Sequence, residues 1–119
     1  VLSTVLKLQK GDRSEISATM QELSAKRREK QPLEYPSAGS TFKRPEGYFA
    51  GKLIMDAGLA GASVGGAQVS EKHCGFVINR KNATSADVAG LIQKVTETVQ
   101  EKFGVTLEPE VIFLGDFEK

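Results

Sequence analysis

The residues with the clearest chemical potential lie together in the segment 35–45, Tyr-Pro-Ser-Ala-Gly-Ser-Thr-Phe-Lys-Arg-Pro. Gly39 allows the backbone to turn sharply or to approach a ligand closely, and the hydroxyl of Ser40 can donate and accept a hydrogen bond. Lys43 and Arg44 add positive charges that suit a phosphate or a carboxylate. The segment therefore predicts a site where an anion binds beside a group that can transfer a proton.

His73 is the only histidine of the chain, and this limits the catalytic sites that the sequence can build. A serine nucleophile normally needs a histidine base and a third group that orients that base, so a serine hydrolase is not expected. Neighbours on a strand point to opposite sides, which disfavours a catalytic pair of His73 and Cys74. No histidines and cysteines have the spacing of metal ligands, so we expect no bound metal.

The first third of the chain predicts a strand, a helix and a linker. Val1 to Leu8 is rich in Val, Leu and Thr and alternates loosely, as a strand does. Asp12 and Glu15 have the spacing of a capping box, which predicts an amphipathic helix from about Arg13 to Glu29. Two prolines between Gln31 and Ser37 then predict a linker.

The remainder of the chain predicts two helices and three short strands, with glycines at the turns between them. Thr84 and Asp87 form a second capping box, which begins a long helix that buries one apolar stripe. Strands and helices that mix without a repeated βαβ unit indicate an α+β fold, a small mixed sheet with helices packed on it. The predicted elements are the helix Tyr48–Ala57, the helix between Thr84 and Gly104 with its stripe of Val88, Leu91, Ile92, Val95 and Val99, the strands Ser63–Val69, Gly75–Asn79 and Leu107–Leu114, and tight turns at Gly58, Gly61, Gly65 and Gly66.

Length and composition fix the broad class. A chain of 119 residues can build one domain whose core needs no disulfide or metal. With 16 Lys and Arg against 15 Asp and Glu, it has no broad positive field, so nucleic acid is not an expected partner. Cys74 is the only cysteine, which is compatible with a reducing compartment. Because there is no long apolar run or signal-peptide pattern, we expect a cytoplasmic protein without a membrane partner.

Four sequence blocks carry a further indication, and they occur in one order along the chain. They are residues 35–45, Gly47–Ile54 (Gly-Tyr-Phe-Ala-Gly-Lys-Leu-Ile), 64–76 and 103–111. Together they resemble the C-terminal half of the UDP-N-acetylenolpyruvoylglucosamine reductase (MurB) family of peptidoglycan precursor enzymes. The resemblance covers nearly the whole chain, and it implies a C-terminal remnant of an FAD-binding domain at 1–34 and an α+β substrate-binding domain at 35–119.

The resemblance implies a reaction for the intact protein and two catalytic residues in this chain. NADPH would reduce FAD, and the flavin would pass a hydride to the enolpyruvyl group of UDP-N-acetylglucosamine enolpyruvate. Ser40 would protonate the other carbon of the double bond, and Glu110 would help to stabilise the enol intermediate. A pair of catalytic carboxylates, Glu108 and Glu110, as in glycosidases, is disfavoured because it ignores the other blocks, and Glu108 is expected to be solvated.

The resemblance also implies that Arg44, His73 and Lys30 contact the diphosphate of the substrate. For His73 the alternative is a purely structural histidine, and for Lys30 it is the solvated basic end of a helix. On an extended segment Lys43 and Arg44 would face opposite ways, so we expect Lys43 to be a surface charge. Cys74 is expected to be a small buried hydrophobe.

The sequence departs from the family pattern at two positions and at its start. Ile112 occupies a position where a basic residue is common, and Ala60 one where some members have lysine, which puts substrate affinity in doubt. Residues 45–49 leave no room for the tyrosine-bearing loop of some members, so the loop-lacking type is expected. Because the chain starts inside a predicted strand, we expect a fragment that lacks most of the FAD site and is inactive alone.

Two other kinds of function stay open from the sequence. The first is a stand-alone module that binds a UDP-sugar without chemistry. The second is a purely structural α+β domain in which the segment around Ser40 only shapes a turn. The structural alternative predicts no ligand and tolerance of substitutions at Ser40.

Overall fold

The computed structural model describes residues 1–117, which form two compact units, one of residues 1–30 and one that begins at residue 31. The second unit contains the sheet, the core and four of the five predicted site residues. The three helices in residues 1–117 are too short or too polar to cross a membrane.

The first unit is built on helix α1, Arg13–Lys30. It begins as the capping residues predict, because the Asp12 carboxylate accepts a hydrogen bond of 2.9 Å from the backbone N–H of Glu15. None of its residues is buried, so the apolar stripe of Ile16, Met20 and Leu23 is exposed.

The predicted strand Val1–Leu8 is wrong, since these residues have no regular secondary structure and all are exposed. Loose alternation of Val, Leu and Thr favours an extended chain, but a strand exists only when its N–H and C=O groups pair with another strand. The described first unit contains one helix and no second strand. Within the described first unit, Val1–Leu8 therefore has no other strand with which to form a hydrogen-bonded ladder.

The second unit is an antiparallel sheet with two helices. Its strands are β1 (Ser37–Ser40), β2 (Ser63–Val64), β3 (Ala67–Val69) and β4 (Phe76–Asn79), in the spatial order β1-β4-β3-β2. The α+β class is confirmed, with the difference that every pairing among the described strands is antiparallel rather than mixed. The sequence patterns did not predict strand β1, whose residues had been singled out only as a site.

The predicted single strand Ser63–Val69 is a hairpin of β2 and β3 joined by Gly65 and Gly66. Gly65 has φ +53°, a conformation that glycine adopts without strain. A Cβ atom on Gly66 would lie 1.9 Å from the carbonyl oxygen of Lys81, so only glycine fits there. A positive φ at the first central residue matches two-residue turns that suit the twist of paired strands.

Two helices enclose the core together with this sheet. Helix α2 is Ala50–Asp56, and helix α3 is Ser85–Phe103, which ends at Gly104 in the left-handed conformation with φ +67°. Helix α3 packs against β2 and β3, and helix α2 packs against α3. The stripe of α3 is confirmed at its last four positions, which are buried, and Val88 is half-buried. The buried core side chains of the second unit are Phe42, Leu53, Ile54, Ala57, Leu59, Ala67, Val69, Cys74, Val77, Leu91, Ile92, Val95, Val99 and Leu107.

The predicted strand Leu107–Leu114 is wrong, because in the described chain it is reduced to a single bridge between Phe42 and Pro109. Two backbone bonds of 2.8 Å flank this bridge, from Lys43 N–H to Glu108 C=O and from Glu110 N–H to Thr41 C=O. Pro109 occupies the position between them, where a strand residue makes no ladder bond, so its missing N–H costs nothing. After Glu110 the chain leaves the sheet edge.

The capping box of α3 predicts a specific pH dependence of stability. The Asp87 carboxylate accepts the N–H of Thr84 at 2.9 Å, and the Thr84 hydroxyl accepts the N–H of Asp87 at 3.1 Å. The hydrogen bond from the Thr84 N–H, with smaller contributions from the Thr84 side chain and the Gly66 N–H, holds the pKa of Asp87 below its usual value. A depressed folded-state pKa stabilises the fold above the unfolded pKa, about 3.9, and the contribution is lost as pH falls through the folded value.

We therefore expect Asp87→Asn to have a lower free energy of unfolding than the wild-type chain at pH 7, and we expect this difference to become smaller below about pH 3.9. Urea unfolding at pH 7 and pH 3 measures the difference. Glu101→Gln, an exposed charge removal on the same helix, is the control. An equal difference in the free energy of unfolding at both pH values would contradict a stabilising role for the ionised Asp87 carboxylate.

Candidate functional site

One open cleft of about 650 Å³ brings together four of the five predicted site residues. Ser40 comes from β1, Arg44 from the segment after it, His73 from the turn before β4, and Glu110 from the segment after the Pro109 bridge. All four side chains are exposed to solvent. Convergence of four separate segments on one surface is what a binding site requires and a turn-shaping motif does not.

The fifth residue, Lys30, is the last residue of α1 in the first unit and is exposed. Its predicted contact with a diphosphate stays a prediction.

A bulge in β1 directs Ser40 to this cleft. Ser37 pairs with Ile78 and Ser40 with Phe76, so three steps along β1 match two along β4. The extra residue is accommodated where Gly39 has φ +85° and its N–H bonds the Ser37 hydroxyl at 3.3 Å. Because side chains alternate along a strand, one inserted residue changes the side to which the following side chains point.

Thr41, buried to 2% exposure, connects the segments that form the cleft. Its N–H bonds the carbonyl of Gly75 at 2.8 Å, and its carbonyl accepts the N–H of Glu110 at 2.8 Å. Its hydroxyl accepts the N–H of Val77 at 3.0 Å. One residue thus fixes Ser40, the turn of His73 and the backbone of Glu110 relative to one another.

The turn 73–75 fixes the ring of His73. The N–H of Gly75 donates to Nδ1 of His73 at 3.1 Å, so the neutral ring carries its proton on Nε2. The ring also makes an edge contact with Phe76, with centroids 4.8 Å apart. A Cβ atom on Gly51 would lie 3.3 Å from both the Gly75 nitrogen and the ring, so glycine lets α2 approach this turn. The cleft therefore has a donor, the Nε2–H of His73, in a fixed tautomer.

Four cationic side chains line the cleft, and their partners differ. Lys43 pairs with Glu108, Lys52 pairs with Asp56 at 2.7 Å, and Lys72 lies 3.7 Å from Glu34. Arg44 instead lies over the ring of Phe49, with its guanidinium carbon 4.2 Å from the ring centre. In the part of the chain that the structure describes, Arg44 has no carboxylate within ion-pair distance. Its charge is therefore the one left uncompensated at the cleft.

Lys43 is a surface charge, as predicted, because its side chain is exposed and pairs with Glu108. It also lines the same open cleft as Arg44. The hydrogen bond and charge of Glu108, with a smaller contribution from Glu110, raise the pKa of Lys43, which stays protonated near neutral pH.

Several cleft residues carry no signal of a site in the sequence, above all Phe49, which precedes α2 as its N-cap and is 61% exposed. Met55 and Lys72 also line the cleft. The sequence pattern could not indicate these residues, because their place at the cleft depends on where α2 and the turn 73–75 meet.

Cys74 is buried, as predicted, and its burial raises the pKa of its thiol, with a further contribution from Glu71. A raised pKa keeps the thiol protonated and unreactive. Within residues 1–117, no three His, Cys, Asp or Glu side chains are placed to hold a metal ion.

A second groove, of about 1030 Å³, lies between α3 and residues 109–117. Its lining is largely apolar and includes Ile92, Phe113, Leu114 and Phe117. None of the predicted site residues lies there. The smaller cleft is the candidate site because it combines an uncompensated cation, a fixed N–H donor, a hydroxyl and a carboxylate. Such groups can bind an anionic ligand and move a proton at an atom beside it.

Comparison with known proteins gives one consistent result. The family model described as UDP-N-acetylenolpyruvoylglucosamine reductase, C-terminal domain, matches residues 31–114. A UDP-N-acetylenolpyruvoylglucosamine reductase of Agathobacter rectalis is 68% identical over 117 residues, which are 98% of this chain and 37% of that protein. The protein of the same name from Lachnoclostridium phytofermentans is 65% identical over 116 residues, with the same two coverages.

A solved structure agrees with these sequence matches. The crystal structure of UDP-N-acetylenolpyruvylglucosamine reductase (MurB) from Thermus caldophilus is similar with a TM-score of 0.71 and 38% identity, over 87% of this chain and 36% of that one. The chain thus spans little more than a third of the length of these relatives.

The role of Thr41 is tested by Thr41→Val, which keeps the side-chain shape and removes the hydroxyl. The N–H of Val77 would then lose its partner in a buried position, so we expect the free energy of unfolding to fall by about 1–3 kcal/mol. Urea unfolding measures this. Thr98→Val removes a hydroxyl from an exposed site on α3 and should change stability by no more than about 0.5 kcal/mol. Equal effects of the two substitutions would argue against the role of Thr41.

Proposed function

Because the chain belongs to the UDP-N-acetylenolpyruvoylglucosamine reductase family, as its C-terminal domain, we propose that it forms the substrate-binding part of such an enzyme. The intact protein would use NADPH, through FAD, to reduce UDP-N-acetylglucosamine enolpyruvate to UDP-N-acetylmuramate for peptidoglycan synthesis. The observation that carries the proposal is the convergence of Ser40, Arg44, His73 and Glu110 in one cleft.

The diphosphate of the UDP-sugar is assigned to Arg44 and His73. A guanidinium group binds phosphate through parallel N–H bonds, and that of Arg44 has no carboxylate competing for it in residues 1–117. His73 adds one neutral donor, its Nε2–H. Ile112 and Ala60 are both exposed and supply no charge, and the other cations that line the cleft are Lys43, Lys52 and Lys72. Lys30 remains a proposed contact of the intact enzyme.

Ser40 and Glu110 are assigned to the chemistry at the enolpyruvyl group. Reduction of a carbon–carbon double bond needs a proton on one carbon, and the Ser40 hydroxyl is proposed as its donor. Serine is a weak acid, so its alkoxide must be stabilised. The uncompensated positive charge of Arg44 at the same cleft supports this. Glu110 is proposed to stabilise the enol intermediate.

Residues 1–30 do not form a flavin site of their own. Helix α1 buries none of its side chains, and the segment before it is exposed throughout. A planar ring system of that size needs an apolar cavity that covers most of its surface. We therefore assign FAD and NADPH binding to the part of the intact protein that this chain does not span, with residues 1–34 as the end of that FAD-binding domain. This chain alone is then expected to be inactive.

The family subtype and the location in the cell stay predictions, and one alternative function remains. The short connection 45–49 supports the loop-lacking type of the family. A cytoplasmic location is proposed because the single cysteine is compatible with a reducing compartment. The alternative of a UDP-sugar module without chemistry shares the cleft but gives Ser40 and Glu110 no catalytic role.

Calorimetric titration of this chain with the enolpyruvyl UDP-sugar, and with UDP alone, tests the binding site. We expect saturable binding that Arg44→Ala weakens by at least about tenfold, since a hydrogen bond to a charged group is lost. Lys94→Ala removes an exposed charge from α3 and should leave binding unchanged. If the unsubstituted chain does not bind, the proposal that this domain carries a preformed substrate site is wrong.

Ser40→Ala in the intact enzyme separates catalysis from binding alone. Oxidation of the reduced enzyme by substrate should slow by about 10²–10⁴-fold, the usual contribution of a positioned proton donor. Reduction by NADPH should be almost unchanged, and Ser63→Ala on β2 should alter neither step. Stopped-flow absorbance follows both half-reactions. Equal losses in the two half-reactions would refute the assigned role, and no loss would favour the non-catalytic module.

A further inference from the structure

Phe49 is an exposed aromatic residue whose position the core does not explain. It is the N-cap residue of α2, in an extended conformation, and 61% of it is exposed. The neighbouring Leu53 and Ile54 are buried, so α2 already has its core contacts. Leaving a phenylalanine ring in water forgoes stabilisation of about 2 kcal/mol. The one ring contact that the structure gives Phe49 is the guanidinium group of Arg44, 4.2 Å from its centre.

An aromatic partner differs chemically from the carboxylates that hold the lysines of the cleft. A carboxylate would occupy N–H donors of Arg44 and compensate its charge. A ring attracts the cation through its face and leaves the N–H groups at the edge of the guanidinium plane free. The contact between Arg44 and the Phe49 ring therefore orders Arg44 without competing with an anionic ligand.

We propose that Phe49 is a positioning residue that holds Arg44 in the orientation in which it binds the substrate diphosphate. This inference rests on the proposed function of the cleft. Phe49 is itself fixed, because its carbonyl accepts the N–H of Leu53 at 3.1 Å and the buried Leu53 and Ile54 anchor the helix. A long side chain ordered before binding loses less conformational entropy when the ligand arrives.

The contact between Arg44 and the Phe49 ring is tested first in the absence of any ligand. In wild type, the ring current of Phe49 should shift the side-chain NMR resonances of Arg44 upfield. Phe49→Leu keeps an apolar side chain but removes the ring, and the shift should disappear, whereas Phe49→Tyr should retain it. Phe103→Leu, at another exposed phenylalanine outside the cleft, is the matched control and should leave Arg44 unchanged. Arg44 resonances unaltered by Phe49→Leu would overturn the proposal.

Coupling to binding is tested by NMR titration of the chain with UDP. Phe49→Leu should weaken UDP binding by about two- to fivefold, the effect of one exposed cation–π contact. Phe49→Tyr should bind as wild type does. In an Arg44→Ala background, Phe49→Leu should have no further effect, because the group that it positions is gone.

The outcomes separate this proposal from the proposed function. If Phe49→Leu weakens binding equally with and without Arg44, the ring contacts the ligand or shapes the cleft, and the positioning role is wrong. If the ring-current shift is present but Phe49→Leu leaves affinity unchanged while Arg44→Ala reduces it, the positioning role is also wrong and the proposed function stands. If Arg44→Ala leaves UDP affinity unchanged, the assignment of the diphosphate to Arg44 fails, and the positioning proposal fails with it.

Discussion

The buried hydrogen bonds of Thr41 are the constraint on which the cleft depends. The N–H, the carbonyl and the hydroxyl of this residue bind the turn before β4, the segment after Pro109 and the edge of β4, respectively. A buried N–H without a partner is costly, so these three bonds must form together or the local structure must change. The pairing of β1 with β4 is irregular between Ser37 and Ser40, and there the N–H of Val77 binds the side-chain hydroxyl of Thr41.

The cleft is open, and its chemistry depends on charge placement rather than on burial. Three of its four cations pair with carboxylates, and such exposed pairs contribute little to stability. Their effect is to localise the uncompensated charge at Arg44. A cleft that leaves Ser40 and Glu110 exposed does not exclude water by itself, which fits a domain that works with the further part of a longer protein proposed above.

Helices were predicted well and strands poorly, for a physical reason. The signals for α3 are local: the Thr84 and Asp87 caps, the apolar stripe and Gly104 all lie within the helix or beside it, and the structure confirms them. Strand pairing depends on residues far away in sequence. The segments Val1–Leu8 and Leu107–Leu114 have strand-like patterns without a full partner, and β1 has a partner although its sequence, Ser-Ala-Gly-Ser, has little strand character.

For the candidate site, too, some properties follow from local sequence and others from tertiary packing. The sequence by itself determined the α+β class, the two caps and the residue types at the site, because these depend on side-chain chemistry and on short-range spacing along the chain. Only the tertiary structure decided that Ser40, Arg44, His73 and Glu110 share one cleft, that Lys43 joins them, and that Phe49 lies under Arg44 instead of in the core. These facts depend on the bulge of β1 and on the approach of α2 to the turn 73–75, which are set by packing between segments distant in sequence.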